Sequence, residues 1–436
     1  NLVITKNIIL IGNIDSPENV IIKPSTANGT AVSVSANSSL AIGGVTLKTS
    51  AEELSTTPQS SDLSGRGSGI STTDCASIIS LWKVTIDGFT YGISSYGETT
   101  LNLEDSTIQN TTYKGIYAKK LASANFTNVI FENNATATTL LPDNDPNSRS
   151  GSAIDFNLIN ACDHISFIGC TFDTNGDIKG STSGAIKIKI RGGTGETESQ
   201  YSSPGSITNG VSITNCIFTD NPRDVVLGTK ACPKSSDDFT VKYSGGSPIR
   251  EYNFAVNDSS AKDGIESSFF ANGKPITIST DDNKTKISWD GGAYSCTYSA
   301  ADAKKLVVFG GSRNNATAVE SSDITMSSGE VLYLVGGSYF ALDKSGNTYT
   351  IPDGAVRAEV TSSTITMSGG TANSVFGGGM GFATVGDSTI NVSGTSTTKY
   401  VCGGGFNGHL TGFNENGSLT NCEYGVTNTS YPDFTD

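Results

Sequence analysis

One pattern constrains this chain more than any other. Four apolar or small positions, spaced +2, +3 and +2, recur six times in the first half of the sequence. The copies are Leu40, Ile42, Val45, Leu47; Ile79, Leu81, Val84, Ile86; Leu101, Leu103, Ser106, Ile108; Ala124, Phe126, Val129, Phe131; Ile165, Phe167, Cys170, Phe172; and Val211, Ile213, Cys216, Phe218. Each copy reads as two short strands of period 2, with a turn between them that adds one residue to the offset. A polar turn follows, as in Glu132-Asn133-Asn134, Asp173-Thr174-Asn175-Gly176 and Thr219-Asp220-Asn221. A third short strand comes next: Gly92-Ile93, Gly115-Ile116, Ala153-Ile154, Ala185-Ile186 and Val225-Val226. Ile86 to Ile108 spans 22 residues and Ile108 to Phe131 spans 23. A fixed period of that size means a stacked repeat, in which no unit buries its apolar face alone.

Three short strands in 22–23 residues are the size of one coil of a right-handed parallel β-helix, so the expected class is all-β with a β-solenoid over residues 1–232. Equivalent side chains should then stack about 4.8 Å apart, making the ladder Ile86, Ile108, Phe131, Phe172, Phe218 a core column. On these residues the chain resembles pectin-lyase-like β-helix proteins over about residues 1–230, a likeness of architecture rather than of one member's motifs. Wider gaps between copies point to insertions near 137–151 and 191–209.

Residues 233–300 show no coil pattern and carry turn-rich stretches such as Asp281-Asp282-Asn283-Lys284-Thr285, so they are expected to be an irregular connecting segment. A second repeat occupies 301–436: Val308-Phe309-Gly310-Gly311, Leu334-Val335-Gly336-Gly337, Val375-Phe376-Gly377-Gly378 and Val401-Cys402-Gly403-Gly404, interleaved with Asp323-Ile324-Thr325-Met326, Thr364-Ile365-Thr366-Met367 and Thr389-Ile390-Asn391-Val392. Over about 300–410 it resembles the Gly-rich repeats of bacterial surface adhesin-like proteins, which implies a second β-solenoid-like region. The glycine pairs are expected to supply corners with φ > 0.

Composition narrows the function. With 50 Gly and only 16% charged residues, a coiled coil or helical bundle is excluded, and there is no long apolar run to span a membrane as a helix. A net charge of −14 argues against nucleic acid and against an anionic membrane as partner. The eight Cys are scattered without zinc spacing, and there are two His, so a His-rich metal site is excluded. The polar, weakly charged, Ser/Thr/Asn-rich composition is that of a secreted or cell-surface protein, and Asn1 in place of Met reads as a mature segment.

The resemblance implies a polysaccharide-binding face, and for an enzyme either Ca²⁺ carboxylates with a basic proton acceptor or clustered Asp with GHG and RIK segments. GHG is absent, and Ile188-Lys189-Ile190-Arg191 carries the RIK residues in reversed order. No nucleophile elbow or phosphate loop occurs. The first expectation is therefore an adhesin, carbohydrate-binding or structural surface protein. The alternative is a polysaccharide lyase or glycoside hydrolase with an atypical site. No cofactor is required, although Ca²⁺ is left open at Asp143 and Asp145 or at Asp173 and Asp177, where spaced carboxylates offer oxygen ligands. A solvated turn is the plainer reading of both. The expected partner is a glycan or other cell-surface polymer, with an oligomer or filament left open. Trp82 reads as outward and able to stack on a sugar, Trp289 as core.

Two finer expectations follow from the repeat. Cys170 and Cys216 share one slot, so they should stack in the core at a spacing that permits a disulfide. On the third strands, the residues after the apolar position should point outward: Ser94, Tyr117, Asp155 and Lys187, then Tyr96, Lys119, Asn157 and Lys189. Tyr could stack on a sugar, the lysines could pair with an anionic one, and Asp155 and Lys187 are the candidate catalytic pair. The bland alternative is a cross-rung Asp155–Lys187 ion pair.

Overall fold

The computed structural model describes residues 2–35, 37–54, 59–74, 76–140, 151–177, 183–190, 205–230, 240–256, 266–290, 295–298, 303–315, 317–340, 343–345, 348–350, 356 and 358–405. Strands make up 59% and helices 3%, which settles the class as all-β with many parallel strands. The chain divides into two compact units, residues 1–240 with 252–265, and residues 241–251 with 266–436.

In the first unit one parallel sheet runs through Leu2–Ile4, Thr30–Val34, Ser68–Thr72, Tyr91–Ser95, Lys114–Ala118, Ser152–Leu158, Gly184–Ile190 and Val225–Lys230. Along it Ile70, Ile93, Ile116, Ile154, Ile186 and Val225 pair in register. A second set of parallel strands carries the four-position template. Leu40, Ile79, Leu101, Ala124, Ile165 and Val211 are successive partners, and so are Leu47, Ile86, Ile108, Phe131, Phe172 and Phe218. Stacking follows from that register. Phe131 and Phe172 lie 4.9 Å apart at 4°, Phe172 and Phe218 5.0 Å apart at 7°.

The extra residue in the template has a physical identity. Each rung breaks at Gly44, Lys83, Asp105, Asn128, Gly169 or Asn215, all left-handed with φ between 46° and 64°. Gly, Asn and Asp tolerate that conformation best, and one such residue resets the inward phase after two residues of strand. Next to the apolar column the polar turns also have a structural role. Asn134, Asn175 and Asn221 are buried. Their Nδ2 groups donate to the carbonyls of Ile108, Phe131 and Phe172 at 2.8, 2.9 and 2.9 Å, and each of the first two also donates to the Oδ1 of the next, at 2.9 and 3.1 Å.

Cys170 and Cys216 stack as expected: their neighbours Thr171 and Ile217 pair, and Ile217 N donates to Cys170 O at 2.9 Å. Both are free thiols. Trp82 lies half-buried, its indole resting over Gly43, where a Cβ would meet the ring at 2.0 Å. The ring lies on the outer face, across the neighbouring rung, since Gly43 and Trp82 pair next to the buried Ile42 and Leu81.

The chain beyond residue 232 corrects two expectations. The segment 233–300 carries strands at Val241–Ser244, Ile249–Val256, Glu266–Phe270, Ile276–Asp281, Lys284–Trp289 and Ser295–Tyr298. The period vanishes there because Ile276–Asp281 and Lys284–Trp289 form an antiparallel hairpin. Its turn is Asp282-Asn283, φ 46° and 59°, as a two-residue type I′ turn requires. Trp289 is half-buried, 5.8 Å from Phe269. The Gly-rich repeats do pair in parallel, with Val308, Leu334, Val375 and Val401 in one column and Ile324, Ile365 and Ile390 in another. The paired glycines, however, are not corners of positive φ. A Cβ on Gly310 would fall 2.6 Å from Ser322 Cβ, and one on Gly377 2.9 Å from Ser388 Cβ, so these glycines let two strands approach closely. Among the described residues no helix is long and apolar enough to cross a membrane.

Candidate functional site

The distinctive chemistry of the first unit gathers on four neighbouring strands, Tyr91–Ser95, Lys114–Ala118, Ser152–Leu158 and Gly184–Ile190. Tyr117 pairs in register with Ser94 and Asp155, and Asp155 with Lys187; Asn157 pairs with Lys189. The rungs therefore bring the expected residues together. Their exposure differs from expectation. Ser94, Asp155 and Lys187 are 2%, 2% and 1% exposed, and Asn157 is buried too. All seven residues of Ser152–Leu158 are buried, so this strand is covered on both faces. Tyr117, Lys119 and Lys189 are half-buried, and Tyr96 is exposed.

What remains reachable is an aromatic platform. The rings of Tyr91 and Tyr113 are 6.5 Å apart, those of Tyr91 and Tyr117 6.2 Å, and those of Tyr96 and Tyr117 5.8 Å. Lys114 Nζ sits 4.3 Å from the Tyr117 ring centroid and 2.8 Å from Asp155 Oδ2. It so ties the platform to the buried carboxylate. Tyr91, Tyr113 and Lys114 are absent from the sequence-derived site. Tyr91 and Lys114 stand at the first residue of their strands, two before Ile93 and Ile116, where strict alternation assigns them inward. Both are half-buried, so the inward assignment fails at the strand start.

Electrostatics follow burial. Desolvation disfavours the Lys114 ammonium, but Asp155 outweighs it and holds the lysine above its ordinary range. Desolvation likewise opposes the Asp155 carboxylate, and Lys114 with Lys187 and Lys189 hold it below the usual carboxylate range. Lys187 goes the other way: burial pushes it down to about 7 despite the pull of Asp155. Desolvation raises the Tyr91 and Tyr96 hydroxyls. Asp155 Oδ1 and Asn157 Oδ1 accept no hydrogen bond among the described residues.

The weaker candidates separate. Asp143 and Asp145 lie outside the described residues, as do 141–150 and 191–204 of the two insertions. Asp173 accepts a 2.9 Å hydrogen bond from Thr174 Oγ1, and Asp177 is buried. Among the described residues no three His, Cys, Asp or Glu side chains gather as metal ligands. No family model, no curated protein and no solved structure matches the chain.

Proposed function

We propose that residues 1–232 are a right-handed parallel β-helix and that the protein is a secreted or cell-surface carbohydrate-binding protein whose ligand lies on the tyrosine platform. The observation that carries this reading is the row of Tyr91, Tyr113, Tyr117 and Tyr96 on consecutive rungs, with ring separations of 5.8–6.5 Å. Rigid rings with a polar edge suit the apolar faces and hydroxyls of pyranose sugars, and Lys114 beside Tyr117 adds a charged donor. Lys119 and Lys189 flank the platform and extend the polar contact surface. The β-helix itself is supported by the unbroken parallel pairing and by core columns that repeat from rung to rung. A glycan array followed by calorimetry on the best ligand tests the reading. Tyr117→Ala should weaken binding at least about tenfold, as removal of an aromatic anchor does, with the melting temperature little changed. Unchanged affinity in Tyr117→Ala and Tyr91→Ala together removes the platform from consideration.

A polysaccharide lyase or glycoside hydrolase on the same rungs is the second reading. It is favoured by the buried, register-paired Asp155 and Lys187, the lysine near neutrality at physiological pH. It requires movement, since both side chains are closed to solvent. Release of reducing ends or unsaturated sugars from the bound glycan, abolished in Lys187→Met, would establish turnover.

A further inference from the structure

We infer that the cleft over Arg66, separate from the tyrosine platform, binds the carboxylate of a hydroxylated acid. Arg66 follows the short helix Ser60–Ser64 and precedes the strand Ser68–Thr72. It is 9% exposed. Its Nε donates to Gly88 O at 2.8 Å and its Nη1 to Glu52 O at 2.6 Å. A guanidinium has five N–H donors, and among the described residues the only acceptors it meets are these two backbone carbonyls. Asp87 attracts it through space. Yet the Asp87 oxygens are engaged elsewhere, Oδ2 by Lys48 Nζ at 3.2 Å and Oδ1 by Asn110 Nδ2 at 2.8 Å. Buried charges are normally satisfied by a hydrogen-bonded counter-charge, and here none is in contact.

The guanidinium lines a cleft of about 360 Å³, together with Lys48, Thr49, Thr112, Asn133 and Thr136. The hydroxyl protons around it are already committed: Thr49 Oγ1 donates to Arg66 O at 3.4 Å, Thr112 Oγ1 to Leu63 O at 2.6 Å, and Thr136 Oγ1 to Asn133 Oδ1 at 2.7 Å. A hydroxyl oxygen has two lone pairs, and one on Thr49 Oγ1 is taken by Ala51 N at 3.1 Å, so the Thr49 and Thr112 oxygens can each still accept. A complementary ligand must therefore bring hydroxyl donors for the threonines and a planar anionic acceptor for the guanidinium fork. A carboxylate on a hydroxylated carbon frame has both. Asp87, neutralised by Lys48, and the exposed Glu53 line the same cleft and are the competing carboxylates.

Calorimetry on the full chain with glucuronate, tartrate and glucose tests the assignment. Glucuronate or tartrate should bind at least about tenfold more tightly than glucose, with affinity falling as salt rises. Binding of glucuronate alone identifies an acidic sugar, and binding of both identifies small hydroxy acids. Asn133→Asp, on the exposed rim, should weaken the anion at least about tenfold by like-charge repulsion, and Glu53→Gln should tighten it. Arg66→Met should abolish binding, with folding checked by circular dichroism; where that variant is unfolded, Asn133→Asp decides. Equal affinity for glucose and both acids, or no effect of Asn133→Asp, overturns the assignment. Loss of anion binding in Tyr117→Ala but not in Asn133→Asp would move the anion to the platform, leaving the glycan reading intact and removing this one.

Discussion

Asp155 Oδ2 lies 2.8 Å from Lys114 Nζ, although the strand register pairs Asp155 with Tyr117 and Lys187. The carboxylate side chain is 3% exposed and the lysine 16%, so the pair is largely desolvated. Breaking such a pair strands a buried charge. Asp155→Asn should lower stability by about 3–5 kcal/mol, read from urea unfolding. Asp74 and Lys120 make a 2.7 Å pair with side chains 71% and 32% exposed. There Asp74→Asn should cost less than about 1 kcal/mol. Equal costs would show that Asp155 is not held in a dry environment.

Lys187 predicts a pH dependence of unusual sign. Its folded value is about 7, against about 10.4 for an unfolded lysine. Between the two, the unfolded chain carries a proton that the folded chain lacks, so stability rises with pH. Below the folded value the penalty is constant and at its largest. Urea midpoints should therefore climb from about pH 7 to about pH 8, and Lys187→Met should flatten the climb. Higher pH is avoided because the Cys162 and Cys216 thiols, raised by burial, and then Tyr91 and Tyr96, also raised by burial, keep their protons in the folded state and reverse the slope. A midpoint that falls between about pH 7 and about pH 8 in the unaltered protein would falsify the burial assigned to Lys187.

The asparagine column predicts a sharp contrast between two amides. Asn175 is 0% exposed. It donates to Phe131 O at 2.9 Å and accepts from Asn134 N and Nδ2 at 3.1 and 2.9 Å. Asn175→Ala leaves those partners buried and unsatisfied, at a cost of about 3 kcal/mol. Asn125 is half-buried, donates to Asn102 Oδ1 at 3.1 Å and has its Oδ1 2.8 Å from His164 Nε2 at the part-exposed surface. Water can replace both bonds, and Asn125→Ala should cost about 1 kcal/mol. Thermal denaturation of the two variants side by side distinguishes them.

The stacked thiols should be inert in the native state, Cys170 through burial alone, since its hydrogen bond with Cys216 draws its pKa down. A hydrogen bond with Cys170 and burial both hold the Cys216 proton in place and push its pKa up, while reactivity needs the thiolate. Maleimide labelling with peptide mapping should mark Cys402, which is partly exposed, well before Cys162, Cys170 and Cys216, which are buried. Labelling of the latter three should appear only on unfolding. Rapid native modification of Cys170 would mean that this part of the core opens.

Much of the architecture was legible in the chain itself. Leu40 to Val211 and Leu47 to Phe218 pair as the repeat demands. Burying one side chain per rung in the same slot leaves a periodic trace in sequence. The +3 step in the template recorded a left-handed residue, and the two-residue phase of the third strands brought Asp155 beside Lys187. Two things were not legible. The buried role of Asn134, Asn175 and Asn221 is hidden because Asn is equally common in solvated turns. The role of the paired glycines depends on which strand passes opposite them: Ser322 and Ser388 face Gly310 and Gly377 at a distance that no local rule encodes.

The site divides in the same way. Sequence determined which residues share a column, because parallel register carries period and phase directly. Tertiary structure alone decided which of them meet solvent. Asp155 and Lys187 alternate outward as the pattern requires, yet their strands are covered on that side too. Tyr91 and Lys114, assigned inward by phase, lean out at the strand start to complete the platform with Tyr113 and Tyr117. Whether an outward face is open depends on what packs over it from elsewhere in the chain, and a one-dimensional repeat carries no record of that.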